Sequence, residues 1–581
     1  MLPDPDQVAT AAARARDALR AGNALLCYDI VVRAEKRGLR APDLEYLAIL
    51  ALANCGSTQQ ALDRYHEGER SADDADQDWL ALEGRLFKDL ALQGGAAAHF
   101  MFERSAQSYW KAFQKTGGYF SAINAATMFM LSGDEARAQK LARDVLALTG
   151  KANASEDMER YNLLVSHAES ALLLGDEERA RKSLKAADAL ARDNVAARSR
   201  TVRQLRLICQ HLKLDKNLPS HLAVPPAIYV AREQEVEAAQ ISDGKALVLP
   251  GEVRGARVHL GLQAPVDLCV LERFIEAGSR VSVVIPGTRE DLIHNWQRQH
   301  GDAWMMRLAA GLELAQEVSA TPGFLEAEPK WAQQYVAAKA FGLSRLFADQ
   351  IKTRWTSFAI ESSAAAPGFH LRALDKVRAR ESERGFADVS GPPSEMPREA
   401  GVRERRLCAV LFADFRGIQK IADPDLPRFR SLVLARLGKI VAEHGKKILL
   451  RKAWGDALHV VIADAATAAA IALEIQREIL EIASREKNAF SNLELRIALH
   501  FAPAFRGDDP FEDTQTYYGS ELTFAARIEP VTPPATVFVT EAFAARLVVE
   551  APDQYRAEYA GELELAGSYG RSRLFSLRRN G

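Results

Sequence analysis

The chain has little cysteine and pairs none of it: Cys27, Cys55, Cys209, Cys269 and Cys408 are scattered over 581 residues without a CxxC step. That excludes a zinc knuckle and a disulfide framework and leaves reduced thiols as the plain reading. A long hydrophobic run is also missing. The most apolar longer stretch, residues 457–475, contains His459 and Asp464, and the opening MLPDPDQVATAAARARDALRAG has no basic segment followed by an apolar one. The expectation is a cytoplasmic protein without export signal or membrane span. Nor does charge of one sign dominate. With 75 basic and 77 acidic side chains the formal net charge is -2, which gives no general field for gripping nucleic acid. What is present, 48% hydrophobic and 26% charged residues, excludes wholesale disorder. The length predicts about three or four domains.

Proline is nearly absent from the first 215 residues beyond the N-terminus, where alanine and leucine recur at helical spacing. A glycine ends one helix and a small or apolar residue soon after lies on the next: Gly56 with Ala61, Gly133 with Ala138, Gly175 with Ala180 and, more weakly, Gly22 with Leu26. The clearest copies, LSGDEARAQKLA at 131–142 and LLGDEERARKSL at 173–184, are 42 residues apart. Such a hairpin cannot bury its apolar face alone, so residues 1–220 are expected to stack into an α-helical solenoid. This region resembles tetratricopeptide repeats. The stretch TGGYFSAINAATMFMLSGDEARA at 116–138 resembles the TRAF-binding helical region that precedes the kinase domain of ASK-type MAP kinase kinase kinases. The resemblance implies a regulatory scaffold with a protein partner; a helical spacer is the plainer alternative.

From residue 240 to 360 short apolar runs alternate with helical patterns: KALVLPG (245–251), VDLCVLERFIEAG (266–278), SRVSVVIPG (279–287) and TREDLIHNWQRQ (288–299). Strand, helix, strand is the natural parse, a small α/β Rossmann-like domain of uncertain role. Gly251 and Gly287 follow strands, where open α/β sheets receive phosphate-bearing ligands, but no GxGxxG is present. Gly287 and Thr288 read equally well as a turn and an N-cap. Residues 363–404, with mixed charge, prolines and few large apolar side chains, predict a linker, and Arg403, Arg405 and Arg406 at its end a solvated flank.

Residues 405–581 carry the chemistry. In LCAVLFADFRGIQKI (407–421) a buried strand delivers Asp414 ahead of a glycine turn and a helix around 425–444. KKILLRKAWGDALHVVIAD then predicts a hairpin with Gly455-Asp456 at its tip. If the first strand pairs beside the hairpin, two carboxylates converge at one sheet end, a donor set suited to Mg²⁺ or Mn²⁺ with substrate phosphates completing the coordination.

This part resembles the catalytic domain of class III adenylate and guanylate cyclases, an α+β ferredoxin-like fold. The blocks are FADFRG, KAWGD with Lys452 and Asp456, LELRIALHF ending near His500, YYGSELTFAARIE, and PATVFVTEAFAARL, in the family's order. The resemblance implies that Asp414 and Asp456 hold two metal ions, that the backbone at Phe415 to Gly417 approaches phosphates, and that Arg527 neutralises charge at the α-phosphate. Lys452 and Thr516 would read the purine, a pairing that favours ATP and argues against the pyrimidine cyclases that share this domain. Thr523 stands where the family has Asn, and Ala566-Gly567 where it often has Lys-Gly; Arg571 or Arg573 is the expected substitute for that lysine. His500 reads as a packed strand-end residue. The family's site lies between two such domains, and one is present here, so a homodimer is implied. The activity implied is conversion of ATP to 3′,5′-cyclic AMP and pyrophosphate under N-terminal regulation. The alternatives are a catalytically degenerate scaffold or nucleotide sensor, and a cyclase for another nucleotide.

Overall fold

The computed structural model describes residues 5–68; 77–232 apart from 95, 152–153 and 193; 247–321 apart from 250 and 252; 329–362; 369–374; and 405–580 apart from 419–420, 487–489, 491–492 and 512–513. The chain divides into two compact units, residues 1–225 with 349–354, and residues 226–348 with 355–580.

The first unit is helical among its described residues: α1 (Pro5–Arg20), α2 (Ala24–Lys36), α3 (Pro42–Asn54), α4 (Thr58–Glu67), α5 (Gln77–Ala91), α6 (Ala98–Thr116), α7 (Tyr119–Leu131), α8 (Glu135–Lys151), α9 (Asp157–Leu173), α10 (Glu177–Asp188) and α11 (Val195–Leu212). The repeated glycines make its turns. Gly22, Gly56, Gly133 and Gly175 have φ between 78° and 87°, a left-handed conformation that glycine adopts without a Cβ penalty. In each copy the next amide reaches back to the same helical carbonyl: Asn23 to Ala18, Ser57 to Leu52, Asp134 to Phe129 and Asp176 to Ala171, at 2.8–3.0 Å. The Asp134 and Asp176 carboxylates then accept from the amides of Arg137 and Arg179, capping the following helix. Ala61, Ala138 and Ala180 are fully buried, because only a small side chain fits where successive helices touch.

The second unit contains two sheets. The middle sheet has β1 (Ala227–Arg232), β2 (Arg257–Gly261), β3 (Arg280–Pro286), β4 (Glu317–Thr321), β5 (Trp355–Ser362) and β6 (Phe369–Ala373), in the order β4-β3-β2-β1-β5-β6, parallel except for β6. Helices α12 (Pro265–Glu276), α13 (Arg289–His300) and α14 (Asp302–Leu314) cover one face through Phe274, Leu292, Trp296 and Leu308. On the other face α15 (Pro329–Ile351) packs Val336 and Phe341 against Tyr229.

Three expectations are corrected here. KALVLPG forms no strand among its described residues; Val248 is a lone bridge, 74% exposed, and the missed strand is β1, whose short apolar run AIYVAR lies upstream. The stretch 363–404, expected as a linker, contains β6, which the antiparallel pairing with β5 orders; residues 375–404 and Arg403 lie outside the described residues. Arg405 and Arg406 are not a solvated flank but begin the next strand, with the Arg405 guanidinium 4.0 Å from the Phe505 ring centre.

The C-terminal sheet has β7 (Arg405–Arg416), β8 (Ile448–Trp454), β9 (Ala457–Ile462), β10 (Glu494–Asp509), β11 (Thr514–Tyr518), β12 (Thr536–Thr540), β13 (Tyr555–Glu564) and β14 (Arg571–Arg579). Its order is β13-β14-β12-β10-β7-β9-β8, with β11 paired to β10. Helices α16 (Ala435–Glu443) and α17 (Ala465–Arg485) connect β7 to β8 and β9 to β10, so the segment β7 to β10 is the expected ferredoxin-like β-α-β-β-α-β unit, order β10-β7-β9-β8. Two shorter helices follow, α18 (Ser520–Ala526) and α19 (Glu541–Glu550). The two sheets are joined within this unit. Tyr335 of α15 donates to the Phe501 carbonyl at 3.2 Å, Arg573 of β14 pairs with Glu317 of β4 at 2.7 Å, and Gly342 of α15 lies against the Ala545 backbone of α19.

Candidate active site

Because β9 runs antiparallel to β7, the turn before β9 falls at the C-terminal end of β7. Asp414 stands opposite Ala457, and the Phe415 amide donates to the Asp456 carbonyl at 3.2 Å. Gly455, with φ 59°, turns the hairpin so that Asp456 arrives there. The two carboxylate-bearing residues are therefore neighbours across adjacent strands. Phe415 is 1% exposed and packs on Phe429, so only its backbone faces the site. Gly417, at φ 91°, leads the chain out of the strand.

Two residues beside them were not singled out in the sequence. Arg496 of β10 is opposite Asp414 and donates to its Oδ2 at 2.7 Å, while its Nε lies 2.6 Å from Glu529 Oε1. Burial pushes the Glu529 carboxyl up to about 7, against the attraction of Arg496 and with repulsion from Asp414 and Asp456 adding to it. Two carboxylates, Asp414 and Glu529, thus share one guanidinium. The legible signal was Arg496 itself, a charge between Leu495 and Ile497, both fully buried. Among the described residues no group of three or more His, Cys, Asp or Glu side chains forms a ready-made metal cage. Two converging hard-oxygen donors without a third free ligand fit a cation that also takes oxygens from a phosphate substrate.

A second cluster lies on the hairpin edge. Lys452 of β8 donates to Asp509 Oδ2 at 2.8 Å, and both are largely buried. Thr516 of β11 stands opposite Gly507, and β11 contacts β8, so Lys452, Thr516 and Asp509 share one region. Asp509 had not been anticipated. It adds a carboxylate acceptor beside the lysine donor.

Thr523 and Arg527 stand apart. Gly519, φ 141°, opens α18, which sinks Leu522 and Ala525 into the core and leaves Thr523 and Arg527, four residues apart, exposed. Among the described residues no hydrogen bond or ion pair joins either to Asp414, Asp456, Lys452 or Thr516; the Thr523 hydroxyl reaches only the Gly519 carbonyl, at 3.5 Å. The eight expected residues thus occupy three places in one chain. Ala566 is exposed; Arg573 is held by Glu317 and Glu541, and Arg571 lies 3.9 Å from Glu562. His500 is packed as expected, between Thr540 and Glu521 at 2.9 and 3.0 Å, but mid-strand, because β10 runs eight residues past the expected end at 501.

In the middle sheet the described residues around Gly287 show no such cluster. The Gly287 amide donates to the Thr321 carbonyl at 2.9 Å, and the Thr288 hydroxyl accepts from the Asp291 amide at 3.1 Å. Turn and cap account for both residues.

A family model described as Tetratricopeptide Repeats-Sensor matches residues 14–131. No curated relative matches the chain. Among solved structures, the adenylyl cyclase CyaB from P. aeruginosa is 18% identical over 31% of this chain and 100% of its own, with a TM-score of 0.27. The guanylate cyclase domain of RhGC from Catenaria anguillulae, in complex with GTP, is 15% identical over 30% of this chain and 98% of its own, TM-score 0.26. An adenylate cyclase structure from Trypanosoma brucei is 17% identical over 30% of this chain and 88% of its own, TM-score 0.26. Adenylyl and guanylyl cyclases are both represented. No helix among the described residues is long and apolar enough to cross a membrane.

Proposed function

We propose that the chain is a nucleotidyl cyclase that converts ATP to 3′,5′-cyclic AMP and pyrophosphate at a site completed by a second copy. The observation that carries the reading is the meeting of Asp414 and Asp456 across adjacent strands, tied by the Phe415 amide. Two carboxylate-bearing residues brought to one corner of a sheet are a donor set suited to a hard cation. Asp414 and Asp456 would hold Mg²⁺ or Mn²⁺, two ions per site, which when bound lower the pKa of the ribose 3′-hydroxyl and neutralise the triphosphate. The 3′-oxygen forms the new bond to the α-phosphorus, the bond to the β-phosphate oxygen breaks, and the hydroxyl proton leaves to solvent. Arg496, anchored by Glu529, orients Asp414. Gly417, lacking a Cβ, lets backbone amides approach phosphate.

Thr523 and Arg527 are exposed on one chain and unlinked to the carboxylates, which is the arrangement expected if each copy brings them to the other's metal corner. There Arg527 stabilises charge at the α-phosphate and Thr523 donates one hydrogen bond. Lys452 donates to adenine N1 and Thr516 accepts from the 6-amino group. Asp509 favours a second reading, GTP as substrate, since a carboxylate accepts from guanine N1 and N2. Purified protein incubated with Mn²⁺ and each of ATP, GTP, CTP and UTP decides between them. A cyclic product from ATP that vanishes in Asp414→Ala supports the first reading, product from GTP alone supports the second, and no product from any nucleotide overturns both in favour of a scaffold.

A further inference from the structure

The helical unit contains a cavity of about 440 Å³ that the cyclase reading does not use. Its volume is in the range of small-molecule sites, roughly 300–1,000 Å³. Helices α1, α3 and α5 contribute one wall each, and α11, which packs back against α1, closes the ring. Lys88 of α5 donates to Gln204 of α11 at 3.4 Å, fastening the far side.

The walls differ in chemistry. Arg16 and Arg20 of α1 and Arg200 of α11 reach the cavity. The acids beside them are Asp43, which pairs with Arg16 at 2.5 Å, Asp17, which pairs with Arg20 at 3.4 Å, and Asp78. The two pairs are exposed and therefore weakly held. Arg200 and Arg203, one turn apart, make no hydrogen bond or ion pair among the described residues. Burial foremost, helped by the like charge of Arg85 and then of Arg203 and opposed by Tyr46, lowers Arg200 to about 10. Its side chain is nevertheless open to solvent. Both hold for a group on the wall of an open cavity. Behind it Lys88 faces Asp89 and Glu169, and Glu169, pushed up to about 8 by burial, keeps its proton at neutral pH. Two buried donors, Arg85 Nη1 and Gln204 Nε2, lack an acceptor among the described residues. Tyr46 and Trp79 also line the cavity, their rings meeting edge to face with centres 5.3 Å apart.

We propose that this cavity binds a phosphorylated ligand of nucleotide size, its phosphates held by Arg16, Arg20 and Arg200 and a planar ring held by Trp79 and Tyr46. Arg16 and Arg20 have exposed acid partners that an anion can displace, Arg200 has no ion pair among the described residues, and an aromatic face accepts a base irrespective of sequence.

The test is isothermal titration of the full chain in EDTA, which denies cations to the proposed cyclase corner, with ATP and inorganic tripolyphosphate as probes. ATP should bind, and Arg200→Glu should weaken it by at least about tenfold. Trp79→Ala should weaken ATP by about threefold or more and leave tripolyphosphate unchanged. Loss of ATP binding in Lys452→Ala or Arg527→Ala, with Arg200→Glu binding as tightly as the parent, would place the ATP in the cyclase site and overturn the proposal. Should Arg200→Glu fail to fold, as judged by circular dichroism, Arg20→Glu on an exposed helix face serves the same purpose. No binding at millimolar ATP, or an affinity in the charge-reversed variant within about twofold of the parent, overturns the proposal. A chain that cyclises nucleotide and fails this test leaves the proposed function standing.

Discussion

At the end of β3 in the middle sheet, the Gly287 amide is taken by Thr321 and the following Thr288 caps a helix. At the end of β7 in the C-terminal sheet, Asp414 meets Asp456 and pairs with an arginine that it shares with Glu529. Both are strand ends with a glycine nearby, yet one is closed by its own hydrogen bonds and the other is left short of positive charge. A glycine after a strand marks a turn; a surplus of like charge held in place by strand pairing marks chemistry.

Removing that surplus gives the largest expected effect. Asp456→Ala should lower cyclisation by about a thousandfold or more, measured as cyclic product per enzyme, whereas Thr321→Ala at the equivalent place in the middle sheet should leave the rate within about twofold. Next, Arg527→Ala should lower kcat by about 100- to 1,000-fold with little change in the melting temperature, because the side chain is exposed and unbonded.

Smaller effects probe what joins and supports the two sheets. A Cβ on Gly342 would run into the Ala545 carbonyl of α19, so Gly342→Ala should destabilise the larger unit by about 1–3 kcal/mol in denaturant titration. Each sheet also buries a histidine whose pKa burial lowers. Burial lowers His259 in β2 to about 3 and His459 in β9, which stacks on Phe412, to about 4. The unfolded chain takes up these protons near pH 6.5 and the folded chain only well below it, so stability present above pH 6.5 is lost as the pH falls toward 3 or 4. Between pH 6.5 and 5 each should account for about 2 kcal/mol. His259→Gln should flatten that slope, as read from unfolding midpoints at the two pH values.

How much of this was legible depends on whether the signal was local. The helical turns were, because a left-handed glycine and a capping aspartate act within six residues, as at Gly133-Asp134. The hairpin at Gly455 and the strand carrying Asp414 were as well. The β1 strand was missed because AIYVAR is short and its partners, β2 and β5, lie 30 and 128 residues further on in register. Arg496, Glu529 and Asp509 were missed for the same reason: each matters through a partner brought alongside by the sheet, 82 residues away for Arg496 with Asp414 and 57 for Lys452 with Asp509. Strand pairing across such separations is decided by the whole core, and no window of sequence contains it.

The most direct test mixes two inactive chains. Asp456→Ala lacks the metal corner and Arg527→Ala lacks the exposed arginine, so a mixed pair retains one complete site if each site is built from two copies. Equal mixing should restore about a quarter of the unaltered rate. A mixture no more active than its components, from chains that still pair in solution, would contradict the account.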